Sequence, residues 1–201
     1  MFRTVRKLIL IALFAAVTAA GVILWLSPDP EYTVHEWIGG SRFWRFDESI
    51  TQVARKHGVD PLLVKAMVWR ESRFDPDKVG TSGERGLMQV MEGAAQDWTK
   101  AEKIETFVPT DLFDPKTNLE VGVWYIARAL ERWKDRDDPV PFALAEYNAG
   151  RSRADRWLAA TNLADKAEAA DFVRAIDFPT TRSYVAEITR RYQFYRDRER
   201  L

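Results

Sequence analysis

The segment "MVWRESRF", Met67 to Phe74, places a single carboxylate on the apolar side of a predicted helix. Val68 and Met67 stand three and four residues before Glu71, and Phe74 stands three residues after it. None of the residues three or four positions away is basic, so the helix offers no ion-pair partner. A carboxyl group buried without a cation has a raised pKa, which suits a general acid working near neutral pH.

Four further motifs follow Glu71, and they matter because a single buried glutamate is often structural. They are "GERGLMQVM" at 83–91, "NLEVGVWYIARAL" at 118–130, "ALAEYNAG" at 143–150 and "PTTRSYVAEI" at 179–188. In this order and spacing the five segments resemble the soluble-lytic-transglycosylase-like domain, the goose-lysozyme-related catalytic domain of peptidoglycan lytic transglycosylases. The resemblance covers residues 50–195, nearly all of the chain that follows its apolar start.

The resemblance implies an all-α, lysozyme-like fold in which Glu71 is the catalytic acid. It also implies a sugar-binding cleft, and the residues that match it are Ser72, Met88, Gln89, Tyr147, Asn148 and Tyr184. Each of these has a structural explanation as well. Ser72 could point to solvent, Met88 and Tyr184 could pack in the core, and Asn148 could bond backbone near a helix end. No metal or organic cofactor is implied.

Cleavage of a glycosidic bond needs an acid for the leaving oxygen and a group that stabilises the positive charge developing on the sugar. No second carboxylate is marked out by its context in this sequence. In the resembled family the substrate's own N-acetyl group supplies the second function. The resemblance implies that Glu71 protonates the bond and then takes the proton of the muramic acid C6 hydroxyl, which attacks C1. The product is a 1,6-anhydromuramoyl end, so the reaction is that of a lyase.

The sequence departs from the commoner family pattern at three positions. Glu92, three residues after the "GLMQ" segment, stands where the family often has a proline, and this change affects a helix start. Thr180 replaces a glutamate that is usual in the last motif, and this change affects substrate positioning. Glu146 replaces a small residue and leaves open a second carboxylate that activates water.

An uncharged stretch at 8–26 follows the basic residues Arg3, Arg6 and Lys7, and it is long enough to cross a bilayer as a helix. We expect 1–26 to be a membrane anchor or an uncleaved signal. The basic start places the N-terminus in the cytoplasm and the rest of the chain outside the cytoplasmic membrane, on the periplasmic side. Cleavage after small residues such as Ala19 and Ala20, followed by secretion, is the alternative.

Breakers such as Pro30 and Gly40 predict a linker over 27–46, whose aromatic end packs on the domain, and the catalytic domain is then 47–201. No strand pattern of more than a few residues competes with the helices predicted there. These comprise a helix capped by Asp47 or Ser49 and stopped by Gly58, the Glu71 helix from Asp60 and Pro61 to before Pro76, a short helix near 92–98, a long helix opened by Asp114 or Asn118, one stopped by Gly150, one capped by Ser152 with Asp155, one over 164–176 and one after Pro179.

Composition narrows the classes of function. The chain has no cysteine, which excludes disulfides, thiolate metal sites and cysteine nucleophiles. Thirty basic and thirty acidic residues leave no net charge, so nothing indicates nucleic-acid binding. The two histidines are too few for a histidine zinc site. The expected partners are therefore peptidoglycan strands and, through the N-terminal helix, the cytoplasmic membrane.

Two other functions fit the same sequence. One is a hydrolytic, lysozyme-type muramidase, which would leave reducing ends. The other is a cell-wall-binding scaffold that has lost turnover. A scaffold gains nothing from a carboxylate that is costly to desolvate, so the setting of Glu71 favours an enzyme.

Overall fold

The computed structural model describes residues 2–26, 30–163 and 166–199, in two compact units, 1–42 and 43–201. The first unit contains α1, Phe2–Leu26, and α2, Pro30–Gly39. Within α1, the 21-residue segment Val5–Trp25 has a high mean hydropathy and is long enough to cross a membrane, a property that signal sequences share. The segment 30–39 of the predicted linker is helical, because Pro30 begins a helix instead of breaking one and Gly39 ends it.

The second unit is helical, and the described residues contain no strand, only the single bridges Val79–Arg85 and Arg85–Val90. The predicted all-α fold is therefore confirmed. A short 3-10 turn, Gly40–Phe43, leads into this unit and another spans Pro109–Phe113. The helices are α3 Asp47–Lys56, α4 Pro61–Ser72, α5 Glu92–Glu102, α6 Pro115–Arg132, α7 Val140–Ala149, α8 Arg151–Ala160, α9 Ala169–Ala175 and α10 Pro179–Glu199.

Helix α4 is the central helix of this unit. Every residue from Leu63 to Trp69 is buried, including those opposite the predicted apolar stripe. The reason is that α4 packs against α3 on one side and α10 on the other. Asp60 caps it by accepting a hydrogen bond from the Leu62 N–H at 2.9 Å, as predicted.

The chain leaves α4 through two consecutive residues in the left-handed region, Arg73 at φ 55° and Phe74 at φ 60°. This conformation is unfavourable for residues with a Cβ atom. Phe74 is fully buried against Phe43, with ring centroids 5.2 Å apart, and this packing offsets the cost. The contact also confirms that the aromatic end of the predicted linker packs on the domain.

Several predicted helix boundaries are correct and others are wrong. Gly58 and Gly150, both with positive φ, follow α3 and α7 as predicted, and Asp114 caps α6. Asp47 is not a cap but the first residue of α3, and its carboxylate accepts a hydrogen bond from Lys65 at 2.6 Å. Ser152 does not cap α8, which begins directly after Gly150.

Two predicted helix lengths also change. The short helix predicted near 92–98 extends to Glu102, because no breaker follows Trp98. The helix predicted over 164–176 is confined to Ala169–Ala175, and residues 164 and 165 lie outside the described part of the chain.

Candidate active site

Glu71 lies in the last turn of α4, where α10 crosses it, and Tyr184 of α10 donates a hydrogen bond to Glu71 Oε1 at 2.7 Å. Tyr184 is buried, as its place on the apolar side of α10 predicts. Glu71 as a whole residue is partly exposed to solvent. Packing of the two helices therefore creates a carboxyl group with a fixed hydroxyl partner.

Burial raises the pKa of Glu71 to about 7. The Tyr184 hydrogen bond, Arg70 and Lys78 oppose this rise because they favour the ionised form, whereas the negative charge of Glu84 adds to it. Arg70 is itself paired with Glu187, 2.7 Å away, so its charge is partly compensated. The raised pKa predicted from the sequence is confirmed, although two cations, not predicted as partners, moderate it.

Lys78 is a neighbour of Glu71 in the folded chain. The sequence pattern did not reveal it, because Lys78 follows Glu71 by seven residues and lies beyond the helix. Its Nζ donates a hydrogen bond to the backbone carbonyl oxygen of Glu71. Burial lowers the pKa of Lys78, and the charge of Glu71 counteracts that change. Lys78 thus ties the returning loop to the end of α4.

The raised pKa of Glu71 has a consequence for folding stability. In the unfolded chain the pKa returns to 4.5, so stability is unaffected below that pH and is lost as the pH rises from 4.5 to 7. The full loss is about 3 kcal/mol. We expect Glu71→Gln to match the unsubstituted chain at pH 4 and to be more stable at pH 8, as measured by urea unfolding of the full chain in a mild detergent. Glu102→Gln, at an exposed helix end, serves as the control, and a difference that does not grow with pH would contradict the raised pKa.

Gln89, a predicted substrate-binding residue, lies in the loop between α4 and α5 at φ 47°. Its amide Nε2 donates to the carbonyl oxygens of Lys78 and Gly86, at 3.1 and 3.0 Å. A Cβ atom on Gly80 would lie 2.3 Å from Glu84 Oε2 and 2.9 Å from Gln89 Oε1. The glycine therefore leaves room for a carboxylate and an amide oxygen side by side.

Asn118 holds this loop in place from the start of α6. It is fully buried, its Oδ1 accepts a hydrogen bond from the Met88 N–H at 2.8 Å, and its Nδ2 donates to the carbonyl oxygens of Arg85 and Leu112. From the sequence, Asn118 is predicted to open a helix and begins the motif at 118–130, but a role of its side chain in holding the loop is not predicted. An asparagine at the first buried position of a long apolar helix was the available signal, since a buried amide needs several partners.

Met88 and Ser72, two of the predicted substrate-binding residues, do not expose their side chains. Met88 is fully buried against Gly122 of α6, where even a Cβ atom would lie 2.5 Å from the methionine sulfur. Ser72 is buried and its hydroxyl donates to the Val68 carbonyl oxygen at 3.2 Å, so it neither faces a cleft nor points to solvent. Both side chains are therefore part of the packing beneath the surface of the candidate site.

Tyr147 and Asn148 end α7 beside the same loop. Tyr147 donates to the Met88 carbonyl oxygen at 3.0 Å, and Asn148 is exposed, with its Oδ1 accepting from Thr181 at 2.8 Å. Burial, reinforced by the charge of Glu71, raises the pKa of Tyr147 and of Tyr184 well above the ordinary value. Both tyrosines therefore remain protonated donors.

Glu146 and Thr180 occupy different surroundings from the acid. The Glu146 carboxylate accepts from Arg132 at 2.6 Å and from the Trp133 indole at 2.8 Å, so its Oε2 is already occupied by the protein. Thr180 is exposed at the start of α10. Among the described residues, no group of three or more histidine, cysteine, aspartate or glutamate side chains is placed to hold a metal ion.

Part of this chain is similar to known proteins. The family model of the transglycosylase SLT domain matches residues 48–170. The soluble lytic murein transglycosylase of Salmonella typhimurium is 30% identical over 152 residues, which cover 75% of this chain and 23% of that protein. Membrane-bound lytic murein transglycosylase F of Desulfosudis oleivorans is 35% identical over 113 residues, covering 55% of this chain and 23% of that protein.

Among solved structures, the 70-kDa soluble lytic transglycosylase of Escherichia coli superposes with a TM-score of 0.68 at 29% identity, covering 75% of this chain and 24% of that one. The chain spans about a quarter of the length of these relatives. Because the family model matches more than half of the chain, this protein belongs to the transglycosylase SLT domain family.

Proposed function

We propose that the protein is a peptidoglycan lytic transglycosylase that cleaves the β-1,4 bond between N-acetylmuramic acid and N-acetylglucosamine. The observation that carries the proposal is the Glu71 carboxyl group, with a pKa of about 7 and a tyrosine hydroxyl 2.7 Å away. Membership of the family and the names of its relatives, which are soluble and membrane-bound lytic murein transglycosylases, support it.

In the first step Glu71 donates its proton to the glycosidic oxygen as the bond from that oxygen to C1 breaks. The substrate's N-acetyl oxygen stabilises the positive charge at C1. The Tyr184 hydroxyl is held by a short bond to Glu71 and stabilises the carboxylate that remains. A pKa near the working pH makes both directions of proton transfer accessible.

In the second step the carboxylate of Glu71 takes the proton of the muramic acid C6 hydroxyl, and that oxygen forms a bond to C1. The acid is regenerated and no water is consumed. Gln89 and Asn148 carry amide groups that suit the acetamido groups of the sugars. Glu146 is not assigned a role in activating water, because Arg132 and Trp133 hold its carboxylate.

The proposed organisation is a membrane anchor at 1–26, a linker at 27–46 and a catalytic domain at 47–201 on the periplasmic side of the cytoplasmic membrane. The apolar length of α1 supports the anchor, and the basic residues before it support the orientation. The mass of the protein recovered from bacterial membranes tests retention. A form that starts after Ala20 and lies in the soluble fraction would establish a cleaved signal instead.

Product analysis tests the reaction. The full chain in a mild detergent is incubated with purified peptidoglycan, beside its Glu71→Gln variant, and the released fragments are analysed by mass spectrometry. We expect 1,6-anhydromuramoyl ends from the unsubstituted chain and none from the variant. Reducing ends would establish a muramidase, and binding without release by both proteins would establish a scaffold.

The pH profile of kcat/KM gives a second prediction. Glu71 must begin protonated, so activity should fall as the pH rises through about 7. Tyr184→Phe removes a hydrogen bond that favours the ionised form, so the basic limb should move to higher pH. Tyr192→Phe is the matched control, since Tyr192 also lies on α10 and donates to a carboxylate, that of Asp60, at 2.6 Å. A Tyr184→Phe profile that superposes on the control would argue against Glu71 as the acid.

A further inference from the structure

Helix α2, Pro30–Gly39, follows the apolar helix α1 after only three residues, 27–29. A chain of that length bridges at most about 14 Å between Leu26 and Pro30. Both helices belong to the first unit, and they contact each other within it. If α1 spans the membrane as proposed, α2 therefore begins within reach of the lipid headgroups at the end of the span.

Helix α2 carries an apolar face. Four residues share one side of the helix by their spacing, namely Pro30, Val34, Trp37 and Ile38. Trp37 is 49% and Ile38 81% exposed, whereas Thr33 is buried, so the described part of the chain leaves this face open to its surroundings. An open apolar face next to a helix that can span a membrane is typical of a segment that lies on the lipid surface.

The length and composition of α2 distinguish lying on a membrane from entering it. Its ten residues rise about 15 Å as a helix, which is half of the hydrocarbon thickness, so α2 is too short to cross. Two of the ten residues are glutamates and one is a histidine, and ionisable residues are costly in hydrocarbon. Trp37 suits the boundary instead, because tryptophan rings are enriched at the level of the headgroups.

Residues on both sides of α2 have properties that suit the same boundary. Trp25, near the end of α1, is 83% exposed and stands where the apolar stretch ends. Arg42, in the 3-10 turn directly after α2, is exposed, and a guanidinium group suits lipid phosphates. Tryptophan and arginine are the residues that hold a chain at a membrane surface, and here they flank α2.

We propose that the apolar face of α2 lies in the phospholipid headgroup region of the membrane that α1 spans, on the side where α1 ends, and forms a second membrane contact. The inference rests on the proposed anchor. Because α1 already holds α2 beside the lipid, α2 binds with little further loss of translational freedom. Burial of Trp37 and Ile38 supplies the favourable free energy, so lipid alone is sufficient to cover the face.

A fluorescent label at one position of α2 tests the proposal, and the absence of cysteine from the chain allows a single labelled site. The full-chain variant Ile38→Cys carries a thiol-linked, environment-sensitive dye in vesicles of phosphatidylethanolamine and phosphatidylglycerol. We expect strong quenching of the dye by a spin label near the lipid headgroups and weaker quenching by one deep in the acyl chains. Glu48→Cys, at an exposed position of α3, is the control and should report water.

Two further changes are made in the Ile38→Cys chain. Trp37→Glu should lower the ratio of lipid-bound to water-exposed α2 about tenfold, because a charge replaces the largest apolar side chain of the face. Trp37→Phe should keep that ratio. Leu13→Cys, within the apolar stretch of α1, tests the anchor separately, since a label there should be quenched by the deep spin label.

An Ile38→Cys label that reports water, as the control does, would overturn the proposal. So would a label quenched mainly by the deep spin label, because α2 would then insert into the hydrocarbon. A label that reports water in protein-free vesicles but an apolar environment in native membranes would also overturn it, since a protein would then cover the face.

Failure of the proposed anchor gives a different result, namely a Leu13→Cys label that the deep spin label does not quench. The Ile38→Cys label is decisive in that case too. Quenching near the headgroups supports binding of α2 to lipid by itself, and a water signal overturns it.

Discussion

The Glu71→Gln chain is expected to release fragments from peptidoglycan about 1000-fold more slowly than the unsubstituted chain. Glutamine keeps the size of the side chain and can still accept the Tyr184 hydrogen bond, but it has no proton to give to the glycosidic oxygen. It also cannot take the proton of the C6 hydroxyl. One substitution therefore removes both proposed proton transfers while it leaves the packing of α4 against α10 in place.

Initial rates of soluble fragment release measure this effect, and circular dichroism verifies that the variant is folded. Glu102→Gln, which changes the same chemical group at an exposed helix end, should retain the full rate. A Glu71→Gln chain that keeps more than a tenth of the rate would show that another group protonates the bond, since general acid catalysis contributes about 100-fold or more.

Asn118→Leu is expected to have the largest effect on stability, a loss of about 3 to 5 kcal/mol in the free energy of unfolding. Leucine has a similar size but leaves the Met88 N–H and the carbonyl oxygens of Arg85 and Leu112 without their partner. All three groups belong to the segments that α6 holds together. The loop that carries Gln89 should lose its fixed position even under conditions in which the helices remain folded.

Urea unfolding of the full chain in a mild detergent measures the loss. Lys116→Leu, an exposed position on the first turn of the same helix, should change the free energy of unfolding by less than about 0.5 kcal/mol. If Asn118→Leu unfolds at the same urea concentration as this control, the buried hydrogen bonds do not hold the loop.

Local patterns predicted the parts of the fold that depend on neighbouring residues. Asp60 followed by Pro61 started α4, and Gly150 ended α7, because caps and stops act within one turn. Asp47 and Ser152 are equally plausible caps on local grounds. Asp47 instead pairs with Lys65 of another helix, and no local pattern reveals such a partner.

In the candidate site, too, some features depend on neighbouring residues and others on distant parts of the chain. The apolar surroundings of Glu71 were readable from the residues three and four positions away, and they led to a correct prediction about its pKa. Lys78 and Asn118 act on the site through a loop whose course depends on φ values at Gly86 and Gln89. Met88 matched a motif for a sugar cleft, but its side chain fills the space above Gly122, which only the packed structure shows.

The hydrogen bond between Tyr184 and Glu71 joins residues that are 113 positions apart in the chain. Contacts of such long range carry a loop-closure cost before they stabilise the fold, so we expect this one to form late in folding. Until α10 docks, Glu71 remains hydrated, with an ordinary acidity and no tyrosine beside it. If the proposed function holds, the chain therefore acquires its proposed general acid only when this domain has folded.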